Sequence, residues 1–107
     1  MSIREVNVAE LEAALHAGAR VVDVRETDEY LSGHVPGAVH VALGTVADHV
    51  DKFRGDTPVY VVCRSGARSM RACEYLAGLG IEAANVAGGT LDWVANGRQV
   101  VLGSMPT

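Results

Sequence analysis

The chain has 107 residues, 49% of them hydrophobic and 21% charged, enough for one globular domain with a modest core. A formal net charge of -4, with nine Lys plus Arg residues that form no basic run, argues against a nucleic-acid partner. No stretch approaches the roughly 18 apolar residues of a spanning helix and the amino end has no apolar signal core, so the expectation is no membrane partner and a cytoplasmic setting with reduced cysteines.

Ile3 to Val6 reads as a short strand, and Asn7 with Glu10 three positions on makes a capping-box start. The helix that follows carries Val8, Leu11 and Leu15 on one face and stops at Gly18. Arg20 to Val24 reads as a strand, Asp28 to Ser32 as a short helix, Pro36-Gly37 as a turn and Ala38 to Val41 as a brief strand. Val46 to Phe53 reads as an amphipathic helix with Val46, Val50 and Phe53 on one side, broken by Gly55-Asp56. Val59 to Val62 is a uniformly apolar strand, and a loop from Cys63 to Arg68 leads into a helix with Met70, Cys73, Leu76 and Ala77 on its inward arc. Gly78 and Gly80 punctuate its end. Ala84 to Val86 gives a last strand, and Gly88-Gly89 a turn of close backbone approach. Thr90 is a candidate cap for a helix carrying Trp93, and the tail from about Gly103 is expected to be flexible.

A strand apolar on both faces belongs inside a parallel sheet covered by helices on each side, which the alternation of strands and helices supports. The predicted class is therefore α/β. Residues 1–107 form a single domain around a central, mostly parallel sheet of about five strands, flanked by helices on both faces. In such sheets ligands lie beyond the carboxyl ends of the strands, which is where Cys63 sits.

The chemistry of that position follows from its neighbours. A helix N-terminus carries partial positive charge and unpaired N–H donors, which depress the pKa of a nearby thiol, and Arg64 and Arg68 add full charges. Cys63 is thus a candidate nucleophilic thiolate, the alternative being a buried core cysteine. Gly66 tolerates φ > 0, and inward N–H groups from Ser65, Gly66, Ala67 and Arg68 would make a small anion-binding bowl. Ser69 adds a hydroxyl or caps the helix. Cys73, on an apolar arc, reads as core. Ten helical positions at about 1.5 Å each put it beyond the roughly 7 Å limit for a bridge to Cys63. His16, His34, His40 and His49 have no metal-ligand spacing, so neither a metal nor another cofactor is expected.

Cys63-Arg64-Ser65-Gly66-Ala67-Arg68 resembles the active loop of the rhodanese (sulfurtransferase) family, Cys-Arg-x-Gly-x-Arg, at every fixed position. Asp23-Val24-Arg25-Glu26, the segment Glu29 to Ala38, and Val86-Ala87-Gly88-Gly89 ahead of Trp93 extend the resemblance in the family's order from about Val6 to Gly97. It implies that Cys63 takes a sulfane sulfur from thiosulfate or a related persulfide donor, holds it as a persulfide and passes it to cyanide or a thiol. It further implies that Asp23, Arg25 and Glu29 form an ion-pair network beside the site and that His34 fixes a loop. Arg64 would hold a substrate oxyanion at the mouth, or else be a solvated charge. Arg68 would contact substrate, or brace the loop against an acid such as Asp23. An alternative role is a sulfur carrier or regulatory module fed by a protein donor such as a cysteine desulfurase. A further rival is a phosphatase or arsenate reductase, whose loop has five residues between Cys and Arg where this one has four.

Overall fold

In a computed structural model describing residues 2–107, ten short elements alternate along the chain: β1 (Glu5–Val6), α1 (Val8–His16), β2 (Arg20–Asp23), α2 (Thr27–Leu31), β3 (Val39–His40), a 3-10 segment (Leu43–Lys52), β4 (Val59–Val62), α3 (Ala67–Gly78), β5 (Ala83–Val86) and α4 (Gly89–Ala95). The five strands make one sheet in the order β1-β5-β4-β2-β3, and every pairing is parallel. The α/β class expected from the sequence is the class observed.

The capping box at α1 is formed in full: Glu10 N–H donates to Asn7 Oδ1 at 2.8 Å and Asn7 N–H donates to Glu10 Oε1 at 2.9 Å. β4 lies between β2 and β5, and all four of its residues are buried. Alternate strand residues point to opposite faces, so the sheet feeds two apolar clusters. On one face Val22, Val24, Val59 and Val61 pack with Phe53, Cys73 and Leu76 of the 3-10 segment's end and α3. On the other, Val21, Tyr60, Val62 and Val86 pack with Leu11, Tyr30 and Trp93 of α1, α2 and α4. Helices therefore cover both faces.

Two local expectations change. Val46 to Phe53 does not form an α-helix: the segment is 3-10 and leaves helical dihedrals at His49 (φ -132, ψ 33), while Val46 and Phe53 still bury their side chains. Its turns close between residues three apart, Thr45 N–H on Ala42 O at 2.8 Å and Phe53 N–H on Val50 O at 3.0 Å, a pattern tolerated in short pieces. Thr90 is not the cap of α4. Gly88 (φ 82) occupies that position and the Thr90 hydroxyl is used elsewhere. The tail lies against the body: Gly103 N–H donates to Leu31 O, Gly37 N–H donates to Pro106 O, and His34 Nε2 lies 2.8 Å from Met105 O. His34 Nδ1 lies 2.8 Å from Tyr30 O, so this buried imidazole links α2 to the tail.

Candidate active site

β4 delivers Cys63 to the carboxyl end of the central strand, where the residue is only 1% exposed. The chain then turns through Arg64 and Ser65 to Gly66, whose φ of 113 lies in the region that glycine alone enters without strain. α3 begins at Ala67, so Ala67 and Arg68 belong to its first turn and the loop proper is shorter than the sequence reading. The start of α4 fixes this loop from outside. Thr90 donates to Cys63 O through both its N–H (2.9 Å) and its hydroxyl (3.0 Å), and Leu91 N–H donates to Arg64 O at 3.0 Å. Across a trans peptide the carbonyl and the next N–H point opposite ways. Anchoring the Arg64 carbonyl on α4 therefore turns the Ser65 N–H back toward the sulfur. Gly89 permits this approach, because a Cβ there would lie 2.5 Å from Arg64 O and 2.6 Å from Cys63 O.

The sulfur consequently meets donors. Gly66 N–H donates to Cys63 Sγ at 3.1 Å, and the Ser69 hydroxyl stands 3.3 Å from it. Burial by itself would raise the Cys63 thiol. The Ser69 hydroxyl and the backbone N–H groups of Ser69, Gly66 and Ser65 outweigh burial and hold the thiol below its ordinary value.

The arginines take different parts. Arg64 is exposed and forms no ion pair among the described residues, leaving a free guanidinium beside the loop. Arg68 is engaged by Glu29 through two bonds, 2.7 and 2.9 Å, which makes it a brace between α3 and α2. Its acid is Glu29 and not Asp23, as the sequence reading offered. The Arg68 hydrogen bonds hold the Glu29 carboxyl down at about 2. Asp23 instead receives Arg25, at 2.8 to 3.1 Å through the guanidinium and 2.9 Å through the backbone N–H, and Arg25 also donates to Gly33 O at 2.8 Å. Asp23 with Arg25 and Glu29 with Arg68 thus form two separate pairs.

Two contributors escaped the sequence reading. Thr90 grips the Cys63 carbonyl, and Asn85 of β5, 1% exposed, accepts from the Ser69 hydroxyl while donating to Gly66 O at 3.1 Å and to Glu5 Oε2 at 3.0 Å. An asparagine inside an otherwise apolar strand was the available signal, since a buried amide requires partners.

The sequence matches the profile of the Rhodanese-like domain over residues 7–96. The chain belongs to the rhodanese-like domain family. It is 36% identical over 95 residues to YtwF of Bacillus subtilis, provisionally named a sulfurtransferase, an alignment covering 87% of this chain and 92% of that protein. It is 38% identical over 85 residues to the thiosulfate sulfurtransferase GlpE of Pseudomonas savastanoi pv. phaseolicola, covering 78% and 80% of the two chains. The crystal structure of a rhodanese-related protein from Thermoplasma volcanium superposes with a TM-score of 0.86 at 31% identity, covering 92% of this chain and 98% of that one. In this rhodanese-like domain a groove of about 630 Å³ opens beside the loop, lined in part by Arg64, Glu29, Thr90, Leu91, Val94 and Val100. No helix among the described residues is long and apolar enough to cross a membrane.

Proposed function

We propose that the protein is a sulfurtransferase that carries sulfane sulfur on Cys63. The observation that supports this reading is a buried thiol with hydrogen-bond donors turned onto it and no histidine among its partners. Oriented N–H groups and a hydroxyl stabilise a thiolate directly, so no general base is required. The thiolate attacks the outer sulfur of thiosulfate, an S–S bond forms to Sγ, and the S–S bond of the donor breaks with its electron pair leaving on sulfite. An acceptor nucleophile, cyanide or a thiolate, then attacks the outer sulfur of the persulfide, and the pair of the breaking bond returns to Sγ. In this reading Arg64, exposed and in no ion pair among the described residues, holds the sulfonate end of the donor. The N–H groups of Ser65, Gly66 and Ala67 receive the anionic outer sulfur. Asp23 with Arg25, and Glu29 with Arg68, keep the walls of the site in place.

The bidentate grip of Glu29 on Arg68 favours this reading over phosphoryl chemistry, because a phosphate clamp requires that guanidinium to face the bowl. Incubation of the reduced protein with thiosulfate should add one sulfur, about 32 Da, to the peptide containing Cys63, release sulfite, and be reversed by cyanide. An unchanged mass, with Cys63 still open to alkylation, would refute thiosulfate as donor. Turnover of p-nitrophenyl phosphate dependent on Cys63 would refute the assignment altogether.

A further inference from the structure

The Ser69 hydroxyl is aimed at two acceptors at once. It has one proton, yet its oxygen lies within hydrogen-bond reach of both Cys63 Sγ (3.3 Å) and Asn85 Oδ1. The orientation of the Asn85 amide is fixed by its other partners. Gly66 O and Glu5 Oε2 can only accept, so Nδ2 must face them and Oδ1 must face Ser69. All three groups of this chain are buried, with Cys63 and Asn85 each 1% exposed and Ser69 fully enclosed, so no bulk water substitutes for the missing proton.

We propose that Asn85 is a positioning residue that sets the reactivity of Cys63 by competing with the sulfur for the single Ser69 proton. When Sγ is neutral, as a thiol or as the inner sulfur of a persulfide, the hydroxyl donates to Asn85. When Sγ is a thiolate, the hydroxyl turns to the sulfur and Asn85 Oδ1 loses its donor. Asn85 therefore makes the free thiolate less comfortable than the loop donors alone would leave it, and keeps it nucleophilic. The Gly66 carbonyl does not depend on Asn85 alone, because Met70 N–H also donates to it at 3.1 Å. The effect of removing Asn85 thus travels through Ser69.

The proposal rests on Cys63 being the reacting sulfur, but its test reads the thiol and not sulfur transfer, so the two can fail separately. The rate of iodoacetamide alkylation at Cys63 is followed against pH, with peptide mapping, in the native protein and in Asn85→Ala, Asn85→Leu, Ser69→Ala and the Ser69→Ala/Asn85→Ala double variant. Asn85→Ala should shift the midpoint of the profile to lower pH, a threefold to tenfold rise in the acid dissociation constant, about the worth of one neutral hydrogen bond. Asn85→Leu, close in size but with no acceptor and no charge, should shift it the same way. In the Ser69→Ala background, Asn85→Ala should leave the midpoint unchanged. A merely structural asparagine would lower the melting temperature and the plateau rate while leaving every midpoint where it was. That result, a rise in midpoint for Asn85→Ala, or an equal shift with and without Ser69, would overturn the proposal. Should Asn85→Ala fail to fold, Asn85→Leu with and without Ser69→Ala decides the same question, since its shift must disappear with the hydroxyl.

Discussion

Cys63 and Cys73 stand ten residues apart, are equally buried, and pack in the same apolar cluster, yet the structure makes them chemically opposite. Cys73 on α3 is surrounded by side chains that offer no proton, and burial pushes its thiol up to about 12. Burial raises the Cys63 thiol too, but it meets Gly66 N–H, the backbone of Ser65 and Ser69, and the Ser69 hydroxyl, and falls below its ordinary value. Depth does not decide the reactivity of a thiol here. The direction in which neighbouring peptide groups point decides it, and that direction is set by α4 holding the Cys63 and Arg64 carbonyls.

The most drastic way to break the contrast is Cys63→Ala, which should abolish sulfur loading from thiosulfate as read by intact mass, leaving Cys73 unmodified. Gly89→Ala should come next. Its Cβ would press on Arg64 O at 2.5 Å from a backbone at φ +58, so melting should show a loss of roughly 2 kcal/mol or more, together with slower alkylation of Cys63. Ser69→Ala removes the side-chain donor while sparing the fold, and alkylation of Cys63 near neutral pH should slow about tenfold.

Two smaller effects sharpen it. Glu29→Gln frees Arg68 and should lower stability by roughly 0.5 to 1 kcal/mol in denaturant melts, the worth of a pair that water partly screens. Because the folded carboxyl sits at about 2 and the unfolded one near 4.5, the native protein carries this contribution above pH 4.5 and loses it as pH falls toward 2. The Glu29→Gln protein should lack that part of the acid dependence, and an identical acid profile in both proteins would remove Glu29 from the account. Cys73→Ala should cost roughly 1 kcal/mol of stability and leave sulfur loading unchanged.

Much of this was legible in the sequence. The run Val59 to Val62 can only be an interior strand, Asn7 and Glu10 cap their helix as their spacing dictates, and the family's loop residues mark the sulfur by position. The contacts that tune the site were not legible, because they join distant parts of the chain. Arg68 finds Glu29 across 39 positions, Thr90 finds the Cys63 carbonyl across 27, and Asn85 finds Ser69 across 16. An acid near the right strand, Asp23, was the natural guess for Arg68, but Arg25 two residues away satisfies it locally. The 3-10 geometry of Leu43–Lys52 also escaped, since apolar residues three and four apart fit either helix.

Polar contacts, not burial, separate the two thiols. Alkylating the native protein with iodoacetamide across pH and quantifying both cysteine-containing peptides measures this directly. Cys63 should be labelled with a midpoint below that of an ordinary thiol, while Cys73 stays unlabelled until the protein is denatured or the pH nears 12. Equal labelling of the two, or a Cys63 that titrates as late as Cys73, would contradict it.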